Sequence, residues 1–188
     1  MTEFMPGGRR RIDRVLAPDY LDGLDALDLD ELRARRAEAD QEEVDLSYAR
    51  RLLQGRIDIL RAEQDRREGG DVPPEPGTRS DAAIAAALTR ILTDDRPRTD
   101  RGRGKHLATE PSRVGEHRRE AERAVADVGG SDPTGMTDEE LRTALTELAD
   151  IEARVSRSRR SVQQVVDALT AEVGRRYNLD AASLADTR

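Results

Sequence analysis

Residues 31–67 and 140–176 of this 188-residue chain align without a gap, and 15 of the 37 positions are identical. The shared positions include Glu43, Ser47, Arg50, Gln54 and Asp58 in the first copy. Glu152, Ser156, Arg159, Gln163 and Asp167 answer them 109 positions later. Both sets read E-x3-S-x2-R-x3-Q-x3-D. Steps of 4, 3, 4 and 4 separate neighbours on one face of an α-helix. At about 100° per residue, the five side chains share an arc of about 80° along roughly 22 Å of helix. The repeat therefore predicts one long helix, made twice, each copy about 40 residues long.

The helix starts match as well. Asp28 with Glu31, and Thr137 with Glu140, have the spacing of a capping box. Leu27/Leu32 and Met136/Leu141 are placed as the accompanying hydrophobic staples. An apolar seam in 4-3 steps runs through 39, 43, 46, 50, 53, 57 and 60, and again through 148, 152, 155, 159, 162, 166 and 169. That is a coiled-coil heptad. Glu43, Arg50, Glu152 and Arg159 take positions in it that would otherwise be apolar core. The polar stripe thus enters the seam at equivalent places in both copies.

Composition narrows the alternatives. Charged residues make up 38% of the chain and aromatics 2%, with a mean hydropathy of −0.78. This is the balance of long amphipathic helices and argues against a thick core. There is no cysteine, so neither a disulfide framework nor thiol chemistry is expected. No apolar run approaches the roughly 18 residues of a membrane span, and Met1–Arg11 lacks the apolar stretch of a signal peptide. A cytoplasmic location and no membrane contact are expected. The net charge of −7 argues against a general nucleic-acid binder, so no direct DNA binding is expected.

Between the copies the character changes. Residues 69–79 form a Pro/Gly linker. Ser80 is placed to cap a short helix reaching about Asp94, and residues 95–113 read as a basic loop. Residues 114–128 read as another short helix, ended by Gly129-Gly130. The organisation expected is an N-terminal segment (1–27), a first motif helix (28–68), a linker with short helices and a basic loop (69–136), a second motif helix (137–177) and a C-terminal tail (178–188). The basic run from Arg96 to Lys105 has no interleaved aromatic residues for base stacking and reads as a solvated loop.

Catalysis has little to stand on. The histidines are His106 and His117, without partners at metal-ligand spacing, and both read as solvated surface residues. There is no glycine-rich phosphate loop at a strand–helix junction. The doubled stripe is another matter. A solvated face laced with i,i+4 pairs accounts for one such stripe. Two in identical register against a heptad seam call for more, because charges buried without partners are costly. Arginine is the usual bidentate donor to guanine O6 and N7. A carboxylate accepts from guanine N–H groups, and Ser, Gln and Arg donate to phosphate oxygens. Two facing stripes suit a two-fold ligand containing both guanine and phosphate. Stripes that simply pair with one another, in a structural coiled-coil adaptor, are the alternative.

The doubled signature, with the flanking runs DLDELRARRAEADQEEVDLSYARRLLQGRIDILRAE and TDEELRTALTELADIEARVSRSRR, resembles the RsiG family of actinobacterial anti-sigma factors. The likeness covers about 28–68 and 137–177. It implies an all-α fold: two long antiparallel coiled-coil helices with a less regular helical insert between them, one chain supplying both. It implies cyclic di-GMP as ligand, bound as an intercalated dimer, with no other cofactor. It also implies a WhiG-class sigma factor as partner, held from RNA polymerase to control differentiation toward spores. By the same resemblance, Arg50 and Arg159 engage guanine edges. Glu43, Glu152, Asp58 and Asp167 accept from guanine N–H groups or hold the arginines, while Ser47, Ser156, Gln54 and Gln163 bond phosphate or base atoms.

Overall fold

The computed structural model describes residues 3–69, 115–128 and 132–186, with side chains as far as 179. Four helices follow in order: α1 (Arg11–Val15), α2 (Leu29–Glu68), α3 (Glu116–Asp127) and α4 (Asp138–Asp186), with a 3-10 turn at Pro133–Gly135 before α4. There is no strand among the described residues. The fold is all-α, as the repeat predicts. The helix expected from Ser80, the basic loop, His106 and Gly129-Gly130 lie outside the described residues.

Both long helices begin as their sequences dictate. Asp28 Oδ1 accepts from Glu31 N at 2.7 Å, and Glu31 Oε2 accepts from Asp28 N at 3.1 Å. Thr137 and Glu140 repeat the exchange, at 3.2 Å and 2.7 Å. Each box satisfies two amide donors that a helix start leaves without intrahelical partners. Leu27 and Met136 pack on the core beside these starts, where Leu32 and Leu141 are buried. The second helix runs nine residues past the expected end at 177, to Asp186.

α2 and α4 run antiparallel. Arg33 bonds Tyr177, Arg159 bonds Glu43, and Gln54 bonds Glu152, so numbers rise on one helix as they fall on the other. Beyond these, Arg176 Nη2 donates to the carbonyls of Leu24 and Asp25 at 2.9 and 2.7 Å. Every seventh residue closes the seam: Leu32, Ala39, Leu46, Leu53 and Leu60 face Leu141, Leu148, Val155, Val162 and Leu169, all 0–1% exposed. A fully buried Leu or Val contributes about 1.5–3 kcal/mol, so this line is the main adhesive.

A second layer covers one flank. Ile12 and Val15 of α1 and Ala121 of α3 join the same apolar cluster. The approach to α1 is fixed by Asp13, whose carboxylate accepts from Met5 N, Arg10 N and the Arg10 guanidinium at 2.7–3.2 Å. Gly8 is required here: a Cβ on it would come within 2.1 Å of Asp13 Oδ2. Apart from the last turn of α2, everything described so far belongs to one unit, Met1–Glu63 with Thr109–Arg188. The other unit is Gln64–Ala108. Its described part is the last turn of α2, where Gln64 bonds Glu68 at 2.8 Å and Gly69 N bonds Asp65 O at 2.9 Å.

Candidate functional site

The heptad has two core lines, and they behave differently. The line through Leu46 and Val155 is closed. On the other line, Ile57 is buried and Val166 half-buried, but Glu43, Arg50, Glu152 and Arg159 remain partly open. Glu43 and Arg159 keep 25% and 24% of their side-chain surface. Burial is identical down the two stripes: the Glu, Ser, Arg and Gln of each copy are half-buried, while Asp58 and Asp167 are exposed. Matching environments at matching positions follow from an antiparallel pair in which the two copies face each other about a dyad.

The bonding follows the dyad in the serines and departs from it in the donors across the pair. Glu43 Oε1 accepts from Ser47 Oγ at 2.9 Å and from Arg159 Nη1, across the pair, at 3.0 Å. Glu152 Oε1 accepts from Ser156 Oγ at 2.8 Å and from Gln54 Nε2, across the pair, at 3.1 Å. Each carboxylate is thus held by the serine one turn along its own helix and by a donor from the other helix. Under the 109-residue offset, the 43/159 pair maps onto 152/50. Each copy's glutamate therefore stands level with the other's arginine. The Nε atoms of Arg50 and Arg159 are both buried without a hydrogen-bond partner, although each guanidinium is engaged elsewhere. The same holds of Arg56 Nε, off the stripe, so the feature is not peculiar to it.

The structure thus unites Glu43, Ser47 and Arg159 in one cluster and Glu152, Ser156 and Gln54 in another. Gln163, Asp58 and Asp167 make no side-chain hydrogen bond among the described residues and lie toward the outer ends of the stripes.

The flank opposite the stripe is where the sequence reading fell short. Taking Leu46 as origin, the stripe lies about 40° to 120° one way around α2, while Glu42, Asp45 and Ala49 lie about 40° to 100° the other way. α1 and α3 sit on this second flank. Glu42 (1% exposed) accepts from Arg11 Nε at 2.6 Å and stands 2.5 Å from His117 Nε2. Asp45 accepts from Arg11 Nη2 and from Gln41 Nε2. Burial pushes the Glu42 carboxyl up, but the bonds and charges of His117 and Arg11 outweigh it and hold the group below its ordinary range. His117, expected at the surface, is 4% exposed and ties α3 to α2. One signal was available. At the positions equivalent to Glu42 and Asp45, the second copy carries Ile151 and Arg154, so the acids are peculiar to one flank of one helix.

A separate groove of about 620 Å³ lies where α3, the 3-10 turn and α4 meet. Its charged lining is wholly acidic, with Asp127, Glu139 and Glu147 among it, so it does not suit the anion that the arginines of the stripe would attract. Among the described residues no acid or histidine cluster has the make-up of a metal site, and no helix is long and apolar enough to cross a membrane.

A family model described as RsiG-like matches residues 18–92 and 127–187, well over half the chain. The match reaches beyond the two motif helices into the N-terminal segment, the insert and the C-terminal tail, all of which the signature alone left outside. No curated relative matches the chain.

Proposed function

The chain belongs to the RsiG-like family, and from that premise we propose that it is a cytoplasmic anti-sigma factor armed by cyclic di-GMP. In this reading the nucleotide, as an intercalated dimer, sits between the two stripes. The chain so loaded sequesters a WhiG-class sigma factor from RNA polymerase and thereby controls differentiation. The supporting observation is the meeting of the two motif copies about a dyad, with Glu43 and Arg159 bonded across it. A two-fold ligand suits a two-fold receptor, and here one chain supplies both motif copies. Arg50 and Arg159 would take guanine O6 and N7. The carboxylates would accept from guanine N–H groups, and the serines and glutamines would reach phosphate or base atoms.

A structural adaptor without nucleotide has one observation in its favour: the stripes already bond each other through Arg159–Glu43 and Gln54–Glu152. Calorimetric titration of the full chain separates the readings. Binding of cyclic di-GMP, with cyclic di-AMP much weaker, is expected, because adenine presents a donor where guanine presents O6. No heat with either nucleotide, or equal affinity for both, would favour the adaptor.

A further inference from the structure

The stripe's own charges do not suit its proposed ligand. Each five-residue set holds two carboxylates and one arginine, a net charge of −1 per copy. The two cyclic dinucleotides of the proposed dimer carry four phosphates, and a site of like sign repels them. Some further cation must stand close by, and a dyad-related ligand requires it in both copies. Among the identical positions of the repeat, most outside the signature already have structural work. Glu31 caps a helix, and Leu32 and Leu60 fill the core. Arg51 and Arg160 stand outside both the closed seam and the caps. They are identical across the copies, each follows directly on the signature arginine, and each lies about 20° beyond the outer edge of the stripe. Arg51 is half-buried and Arg160 exposed, on the face that α1 and α3 leave uncovered. Asp58 and Asp167 lie at that same edge, which leaves the rim short of positive charge without them.

We propose that Arg51 and Arg160 form a cationic rim to the site and hold the phosphates of the cyclic dinucleotide, leaving base recognition to Arg50 and Arg159. They bring the net charge of the paired stripes from −2 to 0. The inference rests on the cyclic di-GMP reading and extends it to which residues meet the anionic part of the ligand.

The test is titration of the full chain with cyclic di-GMP across a range of salt concentrations. Arg51→Gln/Arg160→Gln is compared with wild type, with Arg51→Lys/Arg160→Lys, and with Arg123→Gln/Arg142→Gln. The last pair removes the same charge from exposed positions off the stripe. Glutamine and lysine are good helix formers, so circular dichroism should match wild type throughout. The Gln rim variant should bind about tenfold more weakly and with a flatter dependence on salt. The Lys variant should stay within about threefold of wild type, since a point charge serves a phosphate, and the control pair should be unchanged. A Gln rim variant with wild-type affinity and salt dependence, or a control pair that loses as much, would overturn the inference while leaving the site intact. A wild-type chain that binds no cyclic di-GMP would overturn the reading and the inference together.

Discussion

Arg159 on α4 donates from Nη1 to Oε1 of Glu43 on α2 across 3.0 Å, joining the third residue of one signature to the first residue of the other. The bond spans 116 positions of sequence, and together with Arg33–Tyr177 and Gln54–Glu152 it fixes the opposite senses of the two helices. It also places both partners in a half-open part of the seam. There, a ligand offering a better acceptor can take the guanidinium without unpacking the closed line of leucines and valines.

Arg50→Ala and Arg159→Ala should each weaken cyclic di-GMP binding by about 1–3 kcal/mol, the cost of a good bidentate base contact. Helical content should hardly change, because alanine is the better helix former. Calorimetry with circular dichroism on the same samples checks both statements. A single variant binding like wild type would mean that the two copies do not act together.

Sigma-factor binding should be much tighter with cyclic di-GMP than without it. An anion between the helices fixes their relative position by satisfying the arginines, and a surface that recognises the fixed pair gains by linkage. The nucleotide must then bind more tightly to the sigma complex by the same factor. Titrating a WhiG-class sigma factor with and without nucleotide measures one arm, and titrating nucleotide into the complex measures the other. Equal affinities in the two conditions would leave a constitutive inhibitor and no gating.

Glu42→Ala should cost about 3 kcal/mol of stability, at the lower end for breaking a buried charged network. It strips His117 of its acceptor and Arg11 of one of two. The equivalent change in the other copy, Ile151→Ala, should act only through lost packing, so its cost should be independent of pH. Urea unfolding of the two variants at several pH values separates the mechanisms.

Stability should hold down to about pH 5 and then fall toward pH 2. The Arg10 guanidinium, with the backbone amides of Met5 and Arg10, brings the Asp13 carboxyl down to about 2 against the opposing effect of burial. Glu42 is shifted in the same direction. A carboxyl whose folded value is depressed stabilises the fold above its unfolded value, near 4. That contribution drains away as pH drops through the folded value. Asp13→Asn should be less stable at neutral pH and show a shallower acid limb in thermal unfolding.

What could be read from the sequence was what is local or periodic. The capping boxes at Asp28 and Thr137 and the seven-residue rhythm from Leu32 to Leu60 need only their own neighbours in the chain. The stripes were legible because duplication made them stand out from an otherwise charged surface. His117 was not, because its burial depends on α3 coming to rest against Glu42, 75 positions away. α1 was missed for a related reason: Ile12 and Val15 are two apolar residues in a five-residue helix, too short for a period to show. The extension of α4 past 177 was read as tail, since the likeness to the first copy ends there; the helix continues to Asp186.

In a homodimer built from one motif helix, every substitution would appear on both sides of the axis. Here the two copies sit in one chain and have diverged on one flank: Glu42 against Ile151, Asp45 against Arg154, Tyr48 against Arg157. The signature residues stay matched while this flank does not, and α1 and α3 pack on it through Arg11 and His117. The helix pair thus has a front and a back. Whatever lands on the outside meets it once per chain and in one orientation, even though the signature is written twice within.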